Sequence, residues 1–168
     1  MQGTVRVSSG RARGFQFFGF AGTATTSQVD CTRFYPHHPT LGRARFRAVS
    51  SPRASSSAAV PYRTIAVDPA VIPLGSAVYV PQARGVMIPV RNGVIRHDGW
   101  FVASDVGGGV RGHTIDFFVG TTRTSPFAFA KGRRGDRFVA YVVEDASIAR
   151  ALAKQRSIEA SLALLAQH

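Results

Sequence analysis

The sequence predicts an all-β fold followed by a C-terminal α-helix. Short apolar runs recur along the chain, separated by turn residues, and only the last stretch has helical periodicity. The runs are rich in Val, Ile, Phe and Tyr, as strands are. They span residues 15–21, 63–67, 77–80, 86–90, 100–104, 114–119 and 137–143. Such spacing indicates a β-sandwich or a small β-barrel.

The predicted helix begins after Asp145 and forms the last of three predicted segments of the chain. Its apolar positions, near helical spacing among alanines, are Ile148, Leu152, Ile158, Leu162 and Leu165. We expect a flexible N-terminal segment over residues 1–15, a β domain over 16–144 and the helix over 145–168. The Ser-rich stretch 50–59 has no periodicity and is predicted to be a mobile surface loop.

Length and composition limit the class of protein. A chain of 168 residues, 45% of them hydrophobic, is long enough to bury a core and is typical of one domain. Its apolar stretches are far shorter than the roughly 20 residues that a membrane-spanning helix needs. No secretory signal peptide is visible at the N-terminus. The lone Cys31 excludes an internal disulfide and a cysteine-rich zinc site.

The chain is strongly basic, which indicates a polyanionic partner. It has 21 basic and nine acidic residues, a formal charge of +12. Nucleic acid, an anionic membrane surface and an acidic cell-wall polymer all fit that charge. Nucleic acid is the least favoured of these, because no recognition motif accompanies the arginine clusters near residues 43–47 and 133–137. A solvated basic face explains the clusters equally well.

Two aspartates fall where apolar runs end. Asp68 follows RTIAV and precedes Pro69, so its carboxylate is placed either to cap the free amides of that turn or to serve a site. Asp105 follows WFVAS and opens a loop whose glycines let the backbone approach a ligand closely.

Asp116 lies inside the apolar run TIDFFVG. Strand alternation places its side chain on the face opposite Ile115 and Phe117. If that face lines a cleft, desolvation favours the protonated carboxyl group, which a general acid requires. The alternative is an aspartate at the edge of the core that hydrogen-bonds a loop amide.

Two other patterns carry less weight. Residues 107–112 match G-x-G-x-x-G, but a strand follows them, whereas a dinucleotide site needs a helix there. The histidines offer no tight pair at metal-ligand spacing. A metal site formed by Asp105, His113 and Asp116 is the alternative to our expectation that the protein holds neither metal nor cofactor.

Several segments together resemble the three-aspartate (3D) domain, which is also the catalytic barrel of the membrane-bound lytic transglycosylase A family. They are VPYRTIAVDP (60–69), IPLG (72–75), HDGW (97–100), DVGGGVRG (105–112) and ID (115–116). Their order, spacing and residue types agree with the domain over about residues 60–120. FGFAGTATTS resembles the domain's first strand and residues 137–143 its last, so the resemblance extends over about residues 17–143.

The resemblance implies a six-stranded double-psi β-barrel that acts on bacterial peptidoglycan. The family cleaves the bond between N-acetylmuramic acid and N-acetylglucosamine without water and leaves a 1,6-anhydromuramyl end. One acid is then enough, whereas a hydrolase normally needs a second carboxylate. The family motif places the catalytic acid and base at Asp116, with Asp105 and Asp68 as its supporting aspartates.

The resemblance also implies substrate contacts. The candidate residues are Gly107, Gly108, Gly109, Arg111, Trp100 and Asp98. The loop amides of the three glycines could orient Asp105 or bind a sugar. The forked guanidinium of Arg111 suits a muramyl or stem-peptide carboxylate. Trp100 would either stack on a sugar or belong to the core.

The expected partners are peptidoglycan glycan strands, and the expected location is the bacterial cell envelope, in the periplasm or cell wall, or outside the cell. The family has a second domain that forms the far wall of its saccharide groove, for which this chain has no stretch of sufficient length. We therefore expect a shallow groove, or a partner or the terminal helix as the other wall. The main alternative is a non-catalytic peptidoglycan-binding module.

Overall fold

The computed structural model describes residues 4–8, 15–23, 37, 44–49, 59–90, 93–120, 122, 124–132, 137–143 and 145–154. Regular structure in these residues is mostly β-sheet, with one short α-helix. The prediction of a mostly β fold is thus confirmed. Contacts divide the chain into two compact units, Met1–Arg53 and Ala54–His168. The predicted bounds at residues 15 and 144 stay predictions, and residues 50–58 of the predicted loop lie outside the described residues.

The first unit contains a three-stranded antiparallel sheet. Its strands are β1 (Thr4–Ser8), β2 (Phe15–Thr23) and β3 (Ala44–Val49), and β2 pairs with both of the others. A register shift between Phe20 and Thr23 marks a bulge in the pairing of β2 with β3. β1 is therefore a paired strand inside segment 1–15, for which the sequence predicts flexibility.

The second unit is built on a five-stranded sheet and a hairpin. In chain order the strands are β4 (Thr64–Ala66), β5 (Ala77–Tyr79), β6 (Met87–Val90), β7 (Gly93–Arg96), β8 (Trp100–Asp105), β9 (Asp116–Phe117) and β10 (Tyr141–Val143). The sheet has the order β10-β5-β8-β4-β9, and β6 pairs with β7 in a separate hairpin. β4 and β8 run parallel, while the other neighbours in the sheet are antiparallel.

The described strands do not form a closed barrel of six. The run at residues 86–90 supplies β6, which pairs with β7 nearby in the chain instead of joining the larger sheet. The run at 137–143 forms a strand only over its last three residues. The double-psi barrel and its six strands therefore remain predictions. The predominance of β-sheet is confirmed.

An aromatic cluster fills the core of the second unit. Phe101 and Phe127 are fully buried, and Phe117, Phe129 and Phe138 pack around them. The ring centroids of Phe101 and Phe117 lie 4.9 Å apart and those of Phe117 and Phe127 5.2 Å apart, in edge-to-face and tilted arrangements. Such geometries suit the ring quadrupoles. The cluster packs Phe127, Phe129 and Phe138, which lie outside the described strands, against the sheet.

Helix α1 (Ala146–Ala153) begins where the sequence predicts. Asp145 is its N-cap, and its carboxylate accepts from the amides of Ser147 at 2.7 Å and Ile148 at 3.4 Å. Leu152 is fully buried and packs in a small second cluster with Ala77 and Val102. The predicted positions beyond Lys154 lie outside the described residues. Among the described helices none is long and apolar enough to cross a membrane.

His97 is buried as a neutral side chain that the surrounding backbone satisfies. Its Nε2 lies 2.7 Å from the carbonyl oxygen of Tyr62, and its Nδ1 accepts from the Gly99 amide at 2.8 Å. Its ring stacks on Phe101 at 4.7 Å. Burial lowers the pKa of His97 from 6.5 to about 4. The folded chain therefore holds the imidazole in its neutral form over most of the acidic range.

We expect this histidine to make the fold sensitive to mild acid. Between pH 6.5 and about 4 the unfolded chain protonates His97 and the folded chain does not, so lowering the pH favours unfolding. The stability present above pH 6.5 should fall by about 2 to 3 kcal/mol on reaching pH 4.5. Urea unfolding at pH 7.5 and 4.5 measures the loss. His97→Gln should remove this part of the pH dependence, whereas replacing the exposed His113 by Gln should retain it; equal profiles for both variants would contradict the assignment.

Candidate active site

Sheet register brings two of the three aspartates to the same end of the sheet. Ala66, the last residue of β4, is paired with Asp105 of β8 on one side and Asp116 of β9 on the other. Asp116 shares the face of its antiparallel partner Ala66. The pairing with β8 shifts register between Ile65 and Ala66, so Asp105 flanks Ala66 at an irregular position of the parallel pair. Since β4 stands between Asp105 and Asp116, their Cα atoms lie two strand spacings apart, about 10 Å.

Asp68 joins this group from the turn after β4 and binds two backbone amides. Its Oδ2 accepts from the Gly112 amide at 2.8 Å, and its Oδ1 accepts from the Ala70 amide at 3.1 Å. These donors, Gly112 first, lower the pKa of Asp68, and the positive charge of Arg111 adds to the effect. The carboxylate of Asp68 thus caps its own turn and also connects that turn to the glycine loop by a hydrogen bond.

Asp105 begins the glycine loop and is half-buried. Its Oδ1 accepts from the next amide, Val106, at 2.9 Å, and its carbonyl oxygen accepts from the Val67 amide at 3.1 Å. Both contacts fix the point at which the chain leaves β8. The two bonds therefore hold the start of the loop in register with the end of β4.

The three glycines have different roles in this loop. A Cβ atom at Gly107 would lie 2.6 Å from a methyl carbon of Val110, which is buried, so this position requires glycine for packing. At Gly108 and Gly109, which are exposed, an added Cβ would meet nothing within 4 Å. The backbone of these two residues is therefore open to solvent, and its contact with a substrate stays a prediction.

Asp116 is the first residue of β9 and is exposed. The next residue, Phe117, points the other way and packs against Phe101 and Phe127. The alternation that the sequence predicts for this strand is thus present. The side chain of Asp116 is exposed, and a cleft that shields its carboxyl group stays a prediction.

Asp98 and Trp100 lie at the other end of β8 from Asp105. The separation of Trp100 from Asp105 along the strand is roughly 16 Å. The Asp98 carboxylate binds the guanidinium of Arg63 in a bidentate pair, at 2.8 and 2.9 Å. Arg63 is 1% exposed and also donates to the carbonyl oxygen of Trp100.

Trp100 contacts the core more than the surface. Its ring lies 5.0 Å from that of Tyr79, and it packs against the cluster around Leu152 of the helix. Its predicted contact with a sugar, like that of Asp98, stays a prediction. Arg63 is not among the predicted site residues. Its position inside the apolar run YRTIAV is the sequence signal for a buried arginine, which needs a partner for its charge.

Arg111 lies beside the aspartates and is exposed. Its charge adds a minor contribution to the lowered pKa of Asp68, after the hydrogen bonds from the Gly112 and Ala70 amides. The guanidinium donates a long hydrogen bond, 3.4 Å, to the carbonyl oxygen of Val110, and its remaining N–H donors suit a ligand carboxylate in front of the loop. In the parts of the chain that the structure describes, no three His, Cys, Asp or Glu side chains lie close enough together to hold a metal ion.

Residues 63–127 match the family model of the 3D domain. The resemblance to the 3D domain is confirmed. The matching 3D segment contains Asp68, Asp105 and Asp116, together with the glycine loop and Arg63. It covers less than half of the chain, which leaves the first unit and the helix outside it.

Solved structures of lytic transglycosylases are similar to the chain at low identity. Escherichia coli MltA with bound chitohexaose is 16% identical, with a TM-score of 0.44, covering 70% of this chain and 44% of that one. MltA from Neisseria gonorrhoeae, in its monoclinic form, is 17% identical, with a TM-score of 0.44 and coverages of 70% and 37%. LtgG of Burkholderia pseudomallei is 21% identical, with a TM-score of 0.34 and coverages of 64% and 41%. The chain spans less than half the length of each of these proteins. No curated protein matches it.

Proposed function

We propose that this protein is a peptidoglycan lytic transglycosylase. The observation that carries the proposal is the arrangement of Asp105 and Asp116 on either side of Ala66, with Asp68 in the adjoining turn. All three lie in the segment that matches the 3D domain. A cluster of carboxylates beside an open glycine loop suits proton transfer to a bound sugar.

The proposed reaction needs one proton carrier, Asp116. Its carboxyl group protonates the glycosidic oxygen between N-acetylmuramic acid and N-acetylglucosamine, and the bond from that oxygen to the muramyl C1 breaks. The muramyl 6-hydroxyl oxygen then bonds to C1, and its proton returns to the Asp116 carboxylate. No water is consumed, and the product is a 1,6-anhydromuramyl end.

The neighbouring residues support this carboxyl group in the proposal. Asp68 fixes the glycine loop through Gly112, and Asp105 fixes the start of the same loop. The exposed backbone of Gly108 and Gly109 can then contact the sugar, and Arg111 its lactyl or peptide carboxylate. We also propose the double-psi barrel as the complete fold, and the cell envelope or the exterior as the location. The charge of +12 would hold the protein on an acidic wall.

The exposure of Asp116 favours one second candidate, a wall-binding module without efficient chemistry. An acid that works in a glycosidase is normally shielded from water, which keeps its proton. In the transglycosylase proposal, the glycan itself or a partner supplies that shield. In the binding-module proposal, the Asp116 carboxyl group stays exposed to water and transfers no proton to the glycan.

Digestion of purified sacculi tests the two candidates. The wild-type protein is expected to release muropeptides with 1,6-anhydromuramyl ends, which mass spectrometry distinguishes from reducing ends by the mass of one water. Reducing ends would indicate a hydrolase with a second carboxylate in a direct role. Retention on sacculi without any release would favour the binding module.

A further inference from the structure

A groove of about 600 Å³ opens beside the loop that precedes β9. Its floor consists of Ile72, Ile115 and Phe138, which pack against the core. Arg137 and His113 line it as polar residues, and both are exposed. Its described lining has no acidic side chain. The groove is therefore apolar at its base and cationic at its opening, within the size range of small-ligand sites.

We propose that this groove holds the stem peptide of peptidoglycan, with a free carboxylate of the peptide on Arg137 and its small aliphatic side chains on the apolar floor. The inference rests on the proposed function, since peptidoglycan supplies the peptide. A guanidinium remains charged at every physiological pH and binds a carboxylate through two parallel N–H donors. The His113 ring can add a further N–H donor.

The position of the groove relative to the aspartates supports this occupant. Ile115 directly precedes Asp116, and the Ile72 amide donates to the carbonyl oxygen of Asp68 at 2.9 Å. Ile115 packs against the core and the adjacent Asp116, the first residue of the edge strand β9, is exposed, so the groove and the proposed acid lie on different sides of the chain at this point. Glycan and stem diverge from the same muramic acid, so one muropeptide can place its sugar on one side and its peptide on the other.

Titration calorimetry with the stem peptide freed from sacculi by an amidase tests the groove. Arg137→Gln is expected to raise the Kd about tenfold or more, because it removes the charged donor. Arg96→Gln removes the same charge from the exposed strand β7, outside the groove, and is expected to leave the Kd unchanged. Val142→Glu puts a negative charge on the exposed groove rim and is expected to weaken binding as well. Converting the carboxylates of the peptide to amides should reproduce the loss with the wild-type protein.

Equal affinities of Arg137→Gln and Arg96→Gln, or no binding by the wild-type protein, would overturn the groove proposal. Release of 1,6-anhydromuropeptides from sacculi by the wild-type protein measures the transglycosylase separately. Selective peptide binding without any glycan cleavage would leave the groove proposal standing and overturn the transglycosylase. Cleavage of the glycan without peptide binding would support the transglycosylase and overturn the groove proposal.

Discussion

Replacing Asp116 by asparagine is expected to lower the turnover of sacculi by about 100-fold to 10,000-fold while the chain stays folded. The amide has nearly the shape of the carboxyl group but cannot give up and recover a proton. Asp116 is exposed, and its partner across the strands is Ala66, so the exchange removes no buried contact at the described residues. Initial rates of muropeptide release, with circular dichroism as the folding check, measure the effect.

A matched control is available in Asp145→Asn. Asparagine caps a helix as well as aspartate does, so this variant makes the same chemical change at an exposed site and should keep full activity. Asp105→Asn and Asp68→Asn should cost less than Asp116→Asn if they only organise the loop. A greater loss for Asp105→Asn would make Asp105 the proton carrier, and wild-type activity in Asp116→Asn would remove it from that role.

Replacing Asp98 by alanine is expected to lower the free energy of unfolding by about 3 to 5 kcal/mol. The Arg63 guanidinium would keep its charge in a site where it is 1% exposed, without the carboxylate that binds it at two points. Arg63 Nε already has no hydrogen-bond partner among the described residues, so the guanidinium depends on its terminal nitrogens. Urea unfolding of the wild-type and variant proteins measures the loss.

The double variant Arg63→Met/Asp98→Ala distinguishes a lost partner from a general defect. Replacing a buried ion pair by apolar side chains is often close to neutral, so the double variant should recover most of the lost stability. A loss below about 1 kcal/mol in Asp98→Ala would mean that water or another group satisfies Arg63. If Asp98→Ala instead keeps its stability and loses affinity for glycan strands, the contact with substrate that the sequence suggests is the real role of Asp98.

The local sequence pattern was enough to predict those features that depend on a single helix or strand. Asp145 marks the start of α1 because capping is settled by the residues of a single turn. Alternation placed Phe117 in the core and Asp116 on the opposite face for the same reason. That Asp68, Asp105 and Asp116 belong to one site was predicted from the motifs of the 3D domain. Local periodicity could not have predicted it.

Pairing between distant segments could not be predicted from local pattern. Periodicity shows that Thr64–Ala66 is a strand but not that its parallel partner is β8. Nor does it show that Arg63 reaches Asp98, since the ion pair depends on that same pairing. The groove at Arg137 likewise depends on how Arg137 and Phe138 pack beside residues that are distant in the chain, and such packing leaves no period in the sequence.

The parallel pairing of β4 with β8 also bears on the order in which the protein folds. Thr64 meets Val102 only after the intervening chain has closed into a loop, whereas β6 and β7 are neighbours in the chain and can pair early. We expect the carboxylates of Asp105 and Asp116 to come together only when that loop closes. Transient opening of β4 from β8 would separate the two carboxylates. The Val102 amide of β8 donates to the carbonyl oxygen of Arg63, next to β4, so this hydrogen bond breaks in the same opening. Hydrogen exchange at the Val102 amide should therefore report the fraction of molecules in which the site is assembled.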